Sequence, residues 1–104
     1  MPDEAVLAVT EIAGPPAELL AASDALAAAV GARDGLLLRA RGTTPGGIVV
    51  LNLWASAAAR EAALADERHR AARAASGLPE LEQGTRTLVV GDLRLDPLGE
   101  DAAT

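Results

Sequence analysis

Several side chains that carry covalent, redox or metal chemistry are missing from this chain. It contains no cysteine, lysine or tyrosine, and its only histidine is His69. The lack of cysteine excludes thiol nucleophiles, disulfides and thiolate metal sites, and the lack of lysine excludes Schiff-base catalysis. A single imidazole cannot build a multi-histidine metal site. The composition therefore predicts that the protein holds no metal.

Positive charge is also scarce, and all of it comes from arginine. Nine arginines stand against fifteen acidic residues, so the formal net charge is -6. Because nucleic-acid binding needs a basic face, this balance predicts that nucleic acid is not a partner. The opening residues, "MPDEAVLAVTEI", have neither a basic segment nor a long apolar run. We therefore expect no signal peptide, no membrane association and a cytoplasmic location.

The large apolar side chains are mostly leucine and valine and are grouped in a few clusters. Trp54 is the only aromatic residue, and 25 of the 104 residues are alanine. A core built from a few Leu and Val clusters is thin, and small domains with thin cores often gain stability by association. The length predicts one domain over residues 1–104, with its core at about 5–95 and a loose tail at 96–104.

Six elements can be placed along the chain from its apolar patterns and breakers. Pro-rich and Gly-rich segments separate four strand-like runs and two helical ones, and Ser56 stands where it can cap the second helix. Asp66 can cap a second segment if that helix breaks there. The predicted order is a strand at 5–12, a helix at 15–31, strands at 35–42 and 46–54, a helix from 57 to 77, and a strand at 85–95.

This βαββαβ order is typical of the ferredoxin-like fold, an α+β arrangement with both helices on one face of an antiparallel sheet. A monomer should then show polar residues on the uncovered face. The third strand has no such polar face. Val49, Leu51 and Leu53 lie on one side of it, and the residues that alternate with them on the other side are also mostly apolar. An uncovered apolar sheet face predicts a homodimer joined through that face.

The segment "GGIVVLNLWASAAAREAAL" resembles the third strand and following helix of dimeric α/β-barrel proteins of the antibiotic-biosynthesis-monooxygenase type. The resemblance extends over residues 5–95 through element order and the Trp-x-Ser turn from strand into helix. It implies a dimeric α/β barrel, a ligand cleft between sheet and helices, and Trp54 pointing into that cleft. Because this family includes cofactor-free oxygenases, the resemblance also implies that this protein uses no cofactor.

Candidate site residues come partly from strand parity and partly from the resemblance. Asn52 shares its strand face with Trp54, so its amide is either satisfied locally or available to a ligand. The resemblance implies that Arg60 and Arg73 occupy substrate-binding positions, although Arg60 replaces a family tyrosine. His69 aligns with the catalytic histidine of the polyketide-cyclase branch. Glu11 would face the cleft if the first strand stays regular, and is a second candidate base.

These residues favour a small cofactor-free monooxygenase-like enzyme acting on an aromatic or polyketide-type substrate in natural-product biosynthesis. Asn52 and Arg60 would bind substrate oxygens, Trp54 would form an aromatic wall, and His69 or Glu11 would accept the proton. Two alternatives remain open. One is a cyclase or isomerase of the same fold that uses His69 as its base. The other is a non-catalytic module that binds a ligand.

Overall fold

Within the described residues, four strands and three helices follow one another in the predicted order, with the second predicted helix divided into two. The computed structural model describes residues 4–31, 34–76, 78 and 85–96, so most of the predicted tail at 96–104 lies outside the described residues. The elements are β1 (Ala5–Ala13), α1 (Pro16–Val30), β2 (Leu36–Thr44), β3 (Gly47–Trp54), α2 (Ala57–Ala65), α3 (Glu67–Ser76) and β4 (Thr85–Val90). No helix within these residues is long and apolar enough to cross a membrane.

The strands form one antiparallel sheet in the order β2-β3-β1-β4, which confirms the ferredoxin-like fold. The first and third strands are central, as the split βαβ topology requires. Their register pairs Val6 with Trp54, Ala8 with Asn52, and Thr10 with Val50. These side chains all lie on the inner face of the sheet, which we define as the face that carries the helices.

The first helix begins and ends where its sequence predicts. Pro16 lies at the start, where its missing N–H costs nothing, and Gly31 ends the helix with a φ of 72°. Val30 and Ser23 are its buried residues. The remaining residues are mostly alanine, which favours the helix but contributes little apolar area to the core.

The predicted break in the second helical segment is confirmed. Ser56 caps α2, with its hydroxyl accepting a hydrogen bond from the Ala59 N–H at 3.0 Å. Asp66 is extended, with a ψ of 126°, and its carboxylate accepts from the Arg68 N–H at 2.9 Å. One aspartate therefore ends α2 and caps α3, and the chain changes direction between them.

The last strand is shorter than the sequence predicts. The apolar pattern predicts strand structure from 85 to 95, but β4 ends at Val90. Gly91 and Asp92 form a bend there, and Asp92 has a φ of 50°, a conformation that a strand cannot continue through. Aspartate tolerates this left-handed conformation better than most residues, so the "GD" pair acts as a terminator.

The core lies between the inner face and the helices. Trp54 packs with Val6 and Ala63, and Leu36 and Ala59 lie against this cluster. Gly35 is required beside it, because a β-carbon there would lie 2.6 Å from the Ala59 β-carbon. Small residues on α2 thus allow the helix to approach the sheet closely over the one large aromatic side chain.

A β-bulge shifts the alternation of β2. Leu36 pairs with Trp54 and Leu38 with Leu53, so Leu37 is an extra residue between two consecutive pairs. Without it, a strand that turned Leu36 inward would turn Arg39 outward. With the bulge, Arg39 pairs with Asn52 on the inner face.

The other side of the sheet, the open face, is apolar as predicted. It carries Leu7, Val9, Leu38, Val49, Leu51, Leu53 and Leu88 in register across all four strands. Leu53 at its centre is only 5% exposed, whereas Leu88 towards the edge is 55% exposed. No helix of the described chain packs over this side of the sheet, in keeping with the right-handed crossovers that place both helical segments opposite.

Candidate functional site

A cleft separates the inner face of the sheet from the helices and consists of two adjoining cavities. The smaller cavity, of about 80 Å³, lies towards α1, and the larger, of about 170 Å³, lies towards α2 and α3. Four residues line both of them and mark their junction: Thr10, Arg39, Asn52 and His69. Since they come from β1, β2, β3 and α3, the junction depends on the whole fold and not on one element.

Asn52 lies at the centre of this junction. It is flanked on the sheet by Ala8 of β1 and Arg39 of β2. Its Oδ1 atom is buried and has no hydrogen-bond partner in the described part of the chain. A buried acceptor without a donor costs about 1 to 3 kcal/mol. Of the two possibilities raised by the sequence, the structure therefore leaves the amide oxygen available to a ligand.

Trp54 forms one wall of the larger cavity and also belongs to the core. It is 6% exposed and packs with Val6 and Ala63, yet part of its surface lines the cavity. Its position next to Asn52 on the same strand face follows from the two-residue repeat of a strand. An indole fixed by core packing supplies a rigid apolar surface for a planar ligand.

The helix break brings His69 to the cleft. On one uninterrupted helix, Leu64 and His69 would lie about 140° apart around the axis. Both line the larger cavity here, because α3 starts afresh after Asp66. His69 is half-buried and also reaches the smaller cavity. An imidazole in this position can accept or donate a proton on a bound ligand.

Arginine side chains surround the rest of the larger cavity. Arg60 of α2 and Arg73 of α3 both line it, as do Arg70 and Arg39. Arg41, two residues along β2, lines the smaller cavity and donates to Asp24 of α1 at 2.8 Å. The cleft thus has cationic sides, an apolar wall and an amide at its centre.

The expected position of Glu11 is wrong. It lies opposite Val49 in the β1–β3 register, on the open face, and its side chain is 66% exposed. Arg86 is its ionic partner, at 3.5 Å. The antiparallel pairing of Leu7 with Leu53 sets this arrangement, since residues two and four positions along from Leu7 share its face. Glu11 is therefore remote from the cleft.

Sequence reasoning missed Thr10, Arg39 and Arg70 as cleft residues. The Thr10 and Thr85 hydroxyls share a hydrogen bond of 2.8 Å beside the larger cavity, which ties β1 to β4 there. Arg39 and Arg41 alternate in "LLLRARG", a pattern that places two cations on one strand face. Which face that is depends on the bulge at Leu37, and nothing in the local sequence marks it.

The described residues contain no cluster of three or more carboxylate or imidazole side chains arranged to hold a metal ion. The lining instead offers groups for binding and proton transfer: one amide, one imidazole, several guanidinium groups, hydroxyls and an indole. Such a set suits a small ligand with an aromatic body and polar oxygens. It can fix that ligand, exclude water from part of it, and move a proton.

No family model and no curated protein matches this chain. Solved structures do match its fold. SnoaB, a cofactor-independent oxygenase from Streptomyces nogalater, is 17% identical, with a TM-score of 0.57 over 93% of this chain and 99% of that one. A monooxygenase from the gene ActVA-Orf6 of Streptomyces coelicolor, in complex with the ligand nanaomycin D, is 22% identical, with a TM-score of 0.61 over 90% and 93%.

A Chloroflexus aurantiacus protein provisionally named an antibiotic biosynthesis monooxygenase is 18% identical, with a TM-score of 0.65 over 88% of this chain and 99% of that chain. Each comparison spans nearly the full length of both proteins. At such low identities the likeness establishes a common fold. It confirms, at the level of fold, the resemblance to antibiotic-biosynthesis-monooxygenase-type proteins.

Proposed function

We propose that this protein is a cofactor-independent monooxygenase that acts on a hydroxylated aromatic or polyketide-type small molecule. The observation that carries the proposal is the buried, unpartnered Oδ1 of Asn52 at the junction of a cleft walled by Trp54. A ligand hydroxyl can donate to that oxygen, and the indole can cover the aromatic ring. The oxygenase activities of two structural neighbours support the same kind of chemistry.

In the proposed reaction the substrate itself supplies the electrons. His69 accepts a proton from the activated substrate, and the resulting anion is stabilised by the Asn52 amide and the guanidinium groups of the cleft. The anion then reduces dioxygen. One oxygen atom forms a new carbon–oxygen bond and the other leaves as water, so that a ring CH₂ group becomes a carbonyl.

Consumption of dioxygen tests this proposal. An oxygen electrode should record uptake when purified protein is mixed with an anthrone, at a rate well above that of the anthrone alone. One mole of oxygen should be consumed for each mole of quinone formed. Binding without uptake would favour the non-catalytic module, and turnover without uptake would favour the cyclase or isomerase.

The role of His69 is tested by His69→Ala. We expect this variant to lower turnover by about 10² to 10⁴ while leaving ligand affinity largely intact, since a general base contributes to the reaction more than to binding. Arg68→Ala is the matched control, because Arg68 is the exposed neighbour on α3 and lines neither cavity. Full activity in the His69 variant would mean that His69 is not the base and that the substrate loses its proton through its own acidity.

The proposal includes a cytoplasmic homodimer joined through the open face. Its support is the apolar surface centred on Leu51 and Leu53, which extends across the sheet with no helix of the described chain over it. Burial of such a surface stabilises an assembly by about 25 cal/mol for each Å² removed from water. The cleft lies on the inner face, so it stays accessible when the open faces meet.

A further inference from the structure

The charges of this protein are distributed unevenly between its surface and its cleft. Although acidic residues outnumber basic ones fifteen to nine, five of the nine arginines line the two cavities. Among the described residues, no aspartate or glutamate lines either cavity. In the described part of a chain with net charge -6, the charged side chains that line the cleft are therefore cations.

Some arginines outside the larger cavity form ion pairs with acidic side chains. Arg41 binds Asp24 at 2.8 Å at the side of the smaller cavity, and Arg86 lies 3.5 Å from Glu11 on the open face. In contrast, Arg60, Arg70 and Arg73 of the larger cavity form no ion pair within the residues that the structure describes. They come from two different helices, so their convergence is a property of the folded site.

Gathering these cations has an energetic cost. Arg60 and Arg73 are half-buried, so each has lost part of its hydration, and like charges around one small cavity repel each other. An anion bound among them would offset both costs, and a planar guanidinium is well suited to bind a carboxylate through two parallel hydrogen bonds. The acidic surface disfavours a polyanion, whereas a small anion fits inside the cleft.

We infer that the ligand of this cleft is an acidic aromatic compound, which carries an anionic group such as a carboxylate in addition to its ring hydroxyl. The anionic group binds among Arg60, Arg70 and Arg73, and the hydroxyl reaches Asn52 at the junction of the cavities. This inference rests on the proposed function for the aromatic hydroxyl alone. The anionic group is argued from the charges of the cleft.

A matched pair of ligands tests the inference. Isothermal titration calorimetry should compare a hydroxynaphthoic acid, with its hydroxyl and carboxyl groups on opposite rings, and the methyl ester of the same acid. The two share the ring and the hydroxyl and differ in charge. We expect the acid to bind at least about tenfold more tightly, as charge-assisted hydrogen bonds to guanidinium predict.

Arginine variants locate the origin of that preference. Arg60→Gln and Arg73→Gln should each reduce the ratio of ester to acid dissociation constants several-fold, with circular dichroism confirming that both variants fold. Arg68→Gln is the matched control: it removes the same charge from the same helix as Arg73, but at a position outside both cavities. The control should keep the wild-type ratio.

Two results would overturn the inference. One is an ester that binds wild-type protein as tightly as the acid, and the other is an equal loss of preference in Arg68→Gln and Arg73→Gln. Because calorimetry measures binding without turnover, the outcome is independent of the oxygen test. A preference for the acid without oxygen uptake would support the acidic ligand and contradict the oxygenase function. Oxygen uptake with no preference for the acid over the ester would support the oxygenase function and contradict the acidic ligand.

Discussion

Asn52 occupies a position where packing alone would favour an apolar side chain. The other inward residues of β3 include Ile48, Val50 and Trp54, and Ile48 is only 1% exposed. In that setting the buried Oδ1 lowers the stability of the folded chain, because it has left water without gaining a donor. A group that destabilises the fold at the centre of a cleft is better explained by binding than by folding.

Asn52→Leu should therefore separate stability from function. Leucine has the same branching at Cγ and no unsatisfied acceptor, and the adjoining cavities leave room for its larger side chain, so we expect the free energy of unfolding to rise by about 1 kcal/mol. Oxygen uptake and affinity for the aromatic ligand should fall. Urea denaturation followed by circular dichroism measures the first effect. A less stable Leu variant would mean that the amide is satisfied in the folded protein in solution.

Site residues differed in how far the sequence could place them. Strand parity alone put Asn52 and Trp54 on one face, and the register confirms this. For Glu11 strand parity was insufficient, because parity shows which residues share a face without showing which face the helices cover. That choice is made by the pairing between β1 and β3 and by the packing of the helices against one face of the assembled sheet.

At the scale of elements, Asp66 determines the geometry of the cleft. Its carboxylate caps α3, and its extended backbone separates that helix from α2. The sequence carried this information locally, as an aspartate in the middle of a run of good helix formers. The end of β4 is also marked locally, by the "GD" pair at 91 and 92. The apolar residues that follow this pair nevertheless favoured a longer strand in the sequence-based prediction.

Asp66→Ala should destabilise the protein by about 1 kcal/mol, the usual value of a helix cap, and should lower turnover as α3 loses its fixed direction. Asp66→Asn keeps a capping oxygen and should restore most of the stability. Glu67→Ala, at the exposed neighbouring position, is the control. Thermal melts and oxygen uptake provide the measurements. Unchanged melting and activity in the alanine variant would show that the cap is dispensable.

At the scale of the whole molecule, the two faces of the sheet differ in what they carry. The inner face holds the cleft, while the open face presents leucine and valine side chains with no helix of the described chain over them. This division was predictable because both faces of β3 are apolar in the sequence. The relative position of the cations was not, since it depends on a bulge and a helix break acting together.

Leu51→Arg tests the proposed dimer. Placing a charge at the centre of the open face should give monomer or insoluble protein, because the charge would be buried without a partner in the assembled pair. Ala58→Arg, on the exposed side of α2, is the control and should leave the mass unchanged. Multi-angle light scattering reports the mass directly. A Leu51→Arg protein with the mass of a dimer would exclude this interface.

The bulge at Leu37 makes β2 unequally tolerant of deletions. Leu37 is the supernumerary residue of the strand, so its removal would leave Leu36 on the core and Arg39 beside Asn52, joined by a regular strand. Because residues 36–38 are all leucine, removal of any one of them gives this same shortened chain. Removal of Ala40 would instead reverse part of the alternation and would turn an arginine of β2 away from the cleft. Changes in chain length among distant homologues should therefore concentrate in the apolar run at 36–38, while the spacing from Arg39 to Arg41 stays constant.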